Sequence, residues 1–161
     1  MPDVSLDDDL IQPFLIEASG LRGRLIRMGP TVSDVIGRHD LPPAVQALMA
    51  EFVVLASALS ATLKFDGVFT LQAKGNGPVS LMAADVTTDG GVRAYASVGD
   101  DVPDEAEIEG SPVPRLFGAG YLAFTVNQGE HAELYQGIVE LQGATLIDCV
   151  HHYFQQSDQF S

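Results

Sequence analysis

A lysine among glycines, at Lys74 to Pro78 (K-G-N-G-P), is the first group of residues whose types could do chemistry. Loops that cradle phosphate follow the pattern G-x-x-x-x-G-K-[ST] between a strand and a helix. Here the lysine precedes the glycines, and the next residues, V-S-L-M-A-A-D-V, alternate like a strand. Gly75 and Gly77 tolerate a positive φ, which a tight turn needs. The stretch therefore predicts a β-hairpin rather than a nucleotide site, and we expect no cofactor to bind this chain.

The histidines show no spacing typical of catalysis or metal binding. His151 and His152 are neighbours, and neighbouring side chains on a helix point in different directions, so they do not share a metal as an i, i+4 pair would. His131 lies among glutamates and is interpreted as loop surface. His39 beside Asp40 could form an acid–base pair, so a hydrolase that uses them stays open as an alternative function. We expect no enzyme activity, no catalytic residue and no metal ligand.

Two further polar groups stand in apolar surroundings. Cys149 is the single cysteine, so the chain can form no intramolecular disulfide and no cysteine-based zinc site. Its spacing places it on the apolar face of a helix, where a buried thiol acts as a small hydrophobe with a raised pKa. Glu51 interrupts an apolar helix, and it is either buried with a cationic partner or a surface carboxylate.

These residues must be positioned by elements that the hydrophobic pattern predicts. Residues 1–13 are interpreted as an acidic flexible arm, residues 14–161 as a single domain, and residues 99–114 as an exposed acidic loop. Helices are predicted from Thr31 or Ser33 to Gly37, from Pro43 to Leu63, and after a Thr145 cap. The pattern is that of an α+β fold in which antiparallel-rich sheets pack against helices. The predicted strands are residues 21–28, 68–73, 79–86, 92–97, 120–127 and 134–141.

Composition narrows the class of partner. The chain has 161 residues, with 22 acidic against 8 basic side chains and a net charge of -14. Such a chain cannot replace the counterions of a nucleic acid, and an anionic membrane surface is disfavoured for the same reason. The longest apolar stretch, which begins at Phe52, is too short to span a bilayer. The acidic N-terminus is unlike a signal peptide, and a cytoplasmic location fits the single cysteine.

Three stretches together resemble a known family. They are residues 20–96, 116–126 and 135–159, and their most specific pieces are A-T-L-K-F-D-G (residues 61–67), L-Q-A-K-G-N-G-P (residues 71–78) and Y-F-Q-Q-S-D-Q (residues 153–159). The chain from about Phe14 to Gln159 is similar to the N-terminal domain of the 33 kDa redox-regulated heat-shock chaperones (the 33 kDa chaperonins).

The resemblance implies a function for this chain, but the sequence lacks one part of the family pattern. The resemblance implies an ATP-independent holdase that binds unfolding client proteins during heat and oxidative stress. It also implies that the active form is a dimer. The redox switch of the family is a C-terminal zinc domain with C-x-C and C-x-x-C cysteines. This sequence contains neither motif and ends at Ser161, so we expect a truncated client-binding and dimerisation domain without the switch. An inert oligomerisation module is the other alternative.

Overall fold

The computed structural model describes residues 10–27, 29–37, 40–63, 65–129 and 135–157. Groups of two or three strands are separated by pairs of helices in this part of the chain, and a last helix follows, which is the predicted α+β arrangement. In chain order the elements are β1 (Leu10–Ile16), β2 (Leu21–Arg27), α1 (Pro30–Gly37), α2 (Pro43–Ala61), β3 (Val68–Gly75), β4 (Val79–Thr87), β5 (Val92–Val98), α3 (Glu105–Ile108), α4 (Pro112–Phe117), β6 (Gly120–Asn127), β7 (Tyr135–Glu140) and α5 (Leu146–Ser157).

A five-stranded antiparallel sheet in the order β5-β4-β3-β6-β7 is the frame of the domain. Because side chains alternate along each strand, the register separates an apolar face from a mixed one. On the apolar face Leu71 pairs with Ala84 of β4 and with Phe124 of β6. On the opposite face, Tyr95 and Ile138 are 41% and 60% exposed on the two outer strands.

The K-G-N-G-P stretch forms the predicted hairpin between β3 and β4. Its glycines serve a different purpose from the expected one, because neither Gly75 nor Gly77 has a positive φ. Instead the loop before β6 packs directly on the turn: the N–H of Gly77 donates to the Phe117 carbonyl at 2.7 Å, and Asn76 Oδ1 accepts from the N–H of Ala119 at 2.9 Å. A Cβ atom at either glycine would overlap the backbone of this loop.

Helix α2 lies on the apolar face and forms the centre of the core. It begins at Pro43, as predicted, and ends at Ala61, two residues before the predicted end. Among the described residues it is the one helix long and apolar enough to cross a membrane, but half of that apolar window is buried inside the domain. Phe52 is completely buried, and the buried small residues Ala56, Ser57 and Ser60 allow close approach to the sheet. The helix is therefore a core element.

Two predictions about the N-terminal part and the acidic segment need correction. Residues 10–13, assigned to the flexible arm, belong to β1, which pairs with β2 from Leu10↔Arg27 onward; residues 1–9 lie outside the described part. The acidic segment 99–114 contains α3 and the start of α4, where Ile108 and Val113 are buried. Its carboxylates remain exposed. Because these charged residues outnumber the few buried apolar ones, the hydrophobic pattern of the sequence indicates a loop.

The last helix begins with the predicted cap. The N–H of Asp148 donates to Thr145 Oγ1 at 3.2 Å, and the Asp148 carboxylate accepts from the N–H of Thr145 at 3.2 Å. This reciprocal pair satisfies N–H groups that a helix start leaves without partners. One turn later Cys149 is completely buried, which confirms its core position. Burial raises the pKa of the Cys149 thiol, and the charge of Asp148 acts in the same direction.

The contact between the start of β6 and the end of β3 predicts a sharp cost for one substitution. A Cβ atom at Gly120 would collide with the backbone carbonyl of Lys74 and with Gly75 Cα. We expect Gly120→Ala to lower the free energy of unfolding by about 1–3 kcal/mol, measured by urea denaturation. Gly37→Ala is the matched control, because a Cβ there meets nothing within 4 Å. Equal stability of the two variants would contradict the close approach.

Candidate functional site

The residues singled out for phosphate chemistry are not assembled into a site. Lys74 is exposed at the end of β3, before the hairpin turn, and an antiparallel strand follows the turn where a phosphate loop would have a helix. Because the phosphate-binding motif depends on a helix N-terminus after the glycines, this geometry supports the hairpin interpretation.

The candidate acid–base and metal residues are dispersed in the part of the chain that the structure describes. Asp40 and His151 are exposed and His152 is half-buried, while His39 and His131 lie outside the described residues. Within the described ranges no group of three or more His, Cys, Asp or Glu side chains could hold a metal ion. The C-x-C and C-x-x-C cysteines that the family resemblance associates with zinc are not among these 161 residues.

Glu51 occupies the outer side of α2, where it is exposed, so the surface reading of this carboxylate is confirmed. It borders a shallow apolar depression of about 330 Å³ that Val32, Val54 and Ile147 also line. Ile147 is 65% exposed, which makes this depression open to solvent.

A deeper apolar groove lies on the helix-covered face of the sheet, between α2 and α5. Its volume is about 260 Å³. Strands β3 and β6 form its floor, the last turn of α2 forms one wall, and α5 forms the other. The lining residues are Leu59, Thr62, Leu63, Phe69, Leu71, Leu122, Ala123, Phe124, Val150, Tyr153 and Phe154.

Aromatic rings connect the floor of the groove to its α5 wall. Phe69 and Phe124 stack with centroids 6.1 Å apart, and Phe124 meets Tyr153 edge to face at 4.9 Å. Tyr153 in turn meets Phe154 edge to face at 5.5 Å. Such geometries are favourable beyond the area they bury, so the rings hold one another in place. Helix α5 can approach β7 here because Gly137 has no side chain; a Cβ there would strike Tyr153 and Phe124.

The mouth of the groove exposes apolar side chains to solvent. Leu63 is 41% exposed on the α2 side and Phe154 is 44% exposed on the α5 side. The Thr62 hydroxyl donates to the Leu59 carbonyl at 2.7 Å, so the hydroxyl hydrogen is engaged within the chain and does not point to a bound partner. The groove can therefore bury apolar side chains of a partner.

Periodicity did not reveal this groove, because its walls come from helices at opposite ends of the chain. One signal was present in the sequence. Leu63 lies in A-T-L-K-F-D-G, Leu71 begins L-Q-A-K-G-N-G-P, and Tyr153 and Phe154 begin Y-F-Q-Q-S-D-Q. The three most specific pieces of the family resemblance therefore meet at the groove.

Comparison with known proteins agrees with this resemblance. Two curated relatives are the 33 kDa chaperonins of Caulobacter vibrioides (strain NA1000 / CB15N), 38% identical over 98% of this chain, and of Escherichia coli O7:K1, 36% identical over 94%. The chain spans 53% and 50% of the lengths of these two relatives.

A solved structure shares the fold. It is a crystal structure of the 33 kDa chaperonin (heat shock protein 33 homolog) from Thermotoga maritima, with a TM-score of 0.73 and 21% identity, and the match covers 92% of this chain and 51% of that one. A family model described as Hsp33 protein matches residues 9–161. Because that match extends over most of the chain, this chain belongs to the Hsp33 protein family.

Proposed function

We propose that this chain is the client-binding and dimerisation part of an ATP-independent holdase chaperone that works in the cytoplasm. It captures unfolding proteins through apolar contact and keeps them from aggregating during heat and oxidative stress. The observation that carries the proposal is the solvent-open groove between α2 and α5, whose walls expose Leu63 and Phe154. The partners are exposed apolar segments of unfolded polypeptides, and neither nucleic acid nor membrane is among them.

The size of the groove sets the strength of capture. Full burial of one large apolar side chain contributes about 1.5–3 kcal/mol, so two such side chains contribute roughly 3–6 kcal/mol. A Kd of 1 mM corresponds to about 4 kcal/mol, and association has entropic costs to offset. One groove therefore binds a client weakly and reversibly. A homodimer would present two grooves and gain from their high effective concentration, which suits a protein that holds clients without consuming ATP.

The other two functions have less support. The hydrolase alternative rests on His39, which lies outside the described residues, and on Asp40, which is exposed. Loss of a saturable turnover in His39→Ala would be its signature. An inert oligomerisation module would not need an apolar groove open to solvent, and it would fail to suppress aggregation.

One prediction from this proposed function concerns the groove mouth. Leu63→Ser with Phe154→Ser removes one aliphatic and one aromatic side chain that are about half-exposed. We expect this variant to need about tenfold higher concentration for half-suppression of light scattering by a chemically unfolded client. A loss of about 1.4 kcal/mol in binding free energy raises the Kd tenfold.

A matched control comes from the opposite face of the sheet. Tyr95→Ser with Ile138→Ser also removes one aromatic and one aliphatic side chain, which are 41% and 60% exposed. This variant should suppress aggregation as the unchanged chain does. Equal losses in both double variants, with unchanged urea midpoints, would show that the groove is not the capture site.

Another prediction from the proposed function is that suppression of aggregation by this chain does not depend on redox state. Cys149 is the one cysteine in these 161 residues, and it is buried with a raised pKa. The thiolate is the form of cysteine that reacts with peroxide, and a raised pKa keeps Cys149 mostly as the thiol, so we expect peroxide to oxidise it slowly. We expect the 161-residue chain to suppress aggregation equally in dithiothreitol, in peroxide and with a zinc chelator.

Cys149→Ala is the control for this experiment, because it removes the thiol without burying a new polar group. It should behave as the unchanged chain under all three conditions. A strong gain of activity on oxidation that Cys149→Ala abolishes would contradict the prediction and assign the gain to an intermolecular disulfide.

A further inference from the structure

The groove is apolar, but the surface at one end of it is acidic. Asp66 and Asp89 are both exposed. The residues next to them in the chain are hydrogen-bonded to each other: the Gly67 N–H donates to Thr88 Oγ1 at 2.7 Å, and the Thr88 N–H donates to the Gly67 carbonyl at 3.1 Å. Asp66 is three residues from Phe69 of the groove floor, and the β4–β5 turn that carries Asp89 is bonded to Gly67, so both residues lie at the end of the sheet where β3 begins. The side-chain hydrogen bond from Thr87, followed by the backbone N–H of Gly91, lowers the pKa of Asp89 and keeps it ionised.

The end of α2 adds partial negative charge at the same place. Leu59 lies in the last turn of α2, and Thr62 and Leu63 follow that turn. All three line the groove, so the C-terminal end of α2 lies beside it. The C-terminus of a helix carries a partial negative charge, equivalent to about half an elementary charge. Neither α2 nor α5 has a basic residue in its last turn to offset it.

The cations whose side chains the structure describes are placed elsewhere. Arg93 donates to Asp85 at 2.9 Å on the opposite face of the sheet. Lys74 is on that face too, near the far end of β3, and Arg115 belongs to α4, which packs at that far end. Lys64 follows α2 in the sequence and lies outside the described residues.

We infer that the groove prefers clients whose apolar side chains are flanked by lysine or arginine, a refinement that rests on the proposed function. The apolar side chain enters between α2 and α5, while the flanking cation meets the negative charge of Asp66, Asp89 and the C-terminal end of α2 at one end of the groove. With a net charge of -14, the whole chain also attracts cationic segments. Acidic segments are repelled, so the groove selects by charge among sequences of equal hydrophobicity.

The test uses three labelled peptides that share one apolar centre and carry lysine, serine or glutamate flanks. Their binding to the 161-residue chain is measured by fluorescence anisotropy. We expect the lysine-flanked peptide to bind about tenfold more tightly than the glutamate-flanked one at low salt. Near 1 M salt, where screening acts within about 3 Å, the ratio should fall below about two. The serine-flanked peptide should change little, since apolar burial is not screened.

Two pairs of substitutions locate the effect. Asp66→Asn with Asp89→Asn should reduce the lysine-to-glutamate preference by at least half. Asp100→Asn with Asp101→Asn makes the same change in net charge at the other end of the sheet, where the Gly99 N–H donates to the Pro78 carbonyl, and should preserve the preference.

The outcomes separate this inference from the proposed function. Equal binding of the three peptides at low salt, or equal effects of the two pairs, would overturn the charge preference while leaving the groove as the capture site. If instead no peptide binds, or if Leu63→Ser with Phe154→Ser leaves all binding intact, the proposed function itself fails, and the inference fails with it.

Discussion

The structure depends on the packing of two helices on one apolar sheet face that is wider than both together. Helix α2 packs mainly on β4, where its small buried residues permit close contact, and α5 packs on β7, where Gly137 admits Tyr153. The strands between them, β3 and β6, contribute Leu71 and Phe124 to the groove floor, where Leu71 is buried and Phe124 remains partly exposed. The groove is a consequence of this spacing, and its apolar lining follows from the alternation of the strands beneath it.

This arrangement gives more support to the proposed chaperone function than to the hydrolase alternative. A close-packed sheet gives the floor a fixed shape, and the contacts of Phe124 and Tyr153 keep the α5 wall in place. The groove contributes dispersion and water release without specific hydrogen bonds, which suits partners that share apolar character but no common sequence. The net charge of -14 opposes non-specific aggregation through the exposed Leu63 and Phe154.

Much of the fold could be predicted because its signals are local. The β3–β4 hairpin, helix α2 from Pro43 and the Thr145 cap of α5 each follow from residues adjacent in the chain. Strand β1 was missed because acidic residues precede it and a proline lies within it, at Pro13. The short helices of the acidic segment were missed because their buried residues are few. The glycines of the hairpin were located correctly but for the wrong reason, since the loop that packs on them comes from a distant part of the sequence.

The groove could not be predicted from periodicity, because Leu63 and Phe154 meet only through the strand order of the sheet. Its role in capture can be tested most directly by site-specific cross-linking. The photo-reactive p-benzoylphenylalanine would replace Phe154, or Tyr95 as a control of similar exposure, at 44% and 41%. On irradiation with a chemically unfolded client, the account predicts a cross-linked product from position 154 and little from position 95. Equal cross-linking at both positions, or cross-linking at position 95 alone, would contradict the claim that the groove between α2 and α5 binds the client.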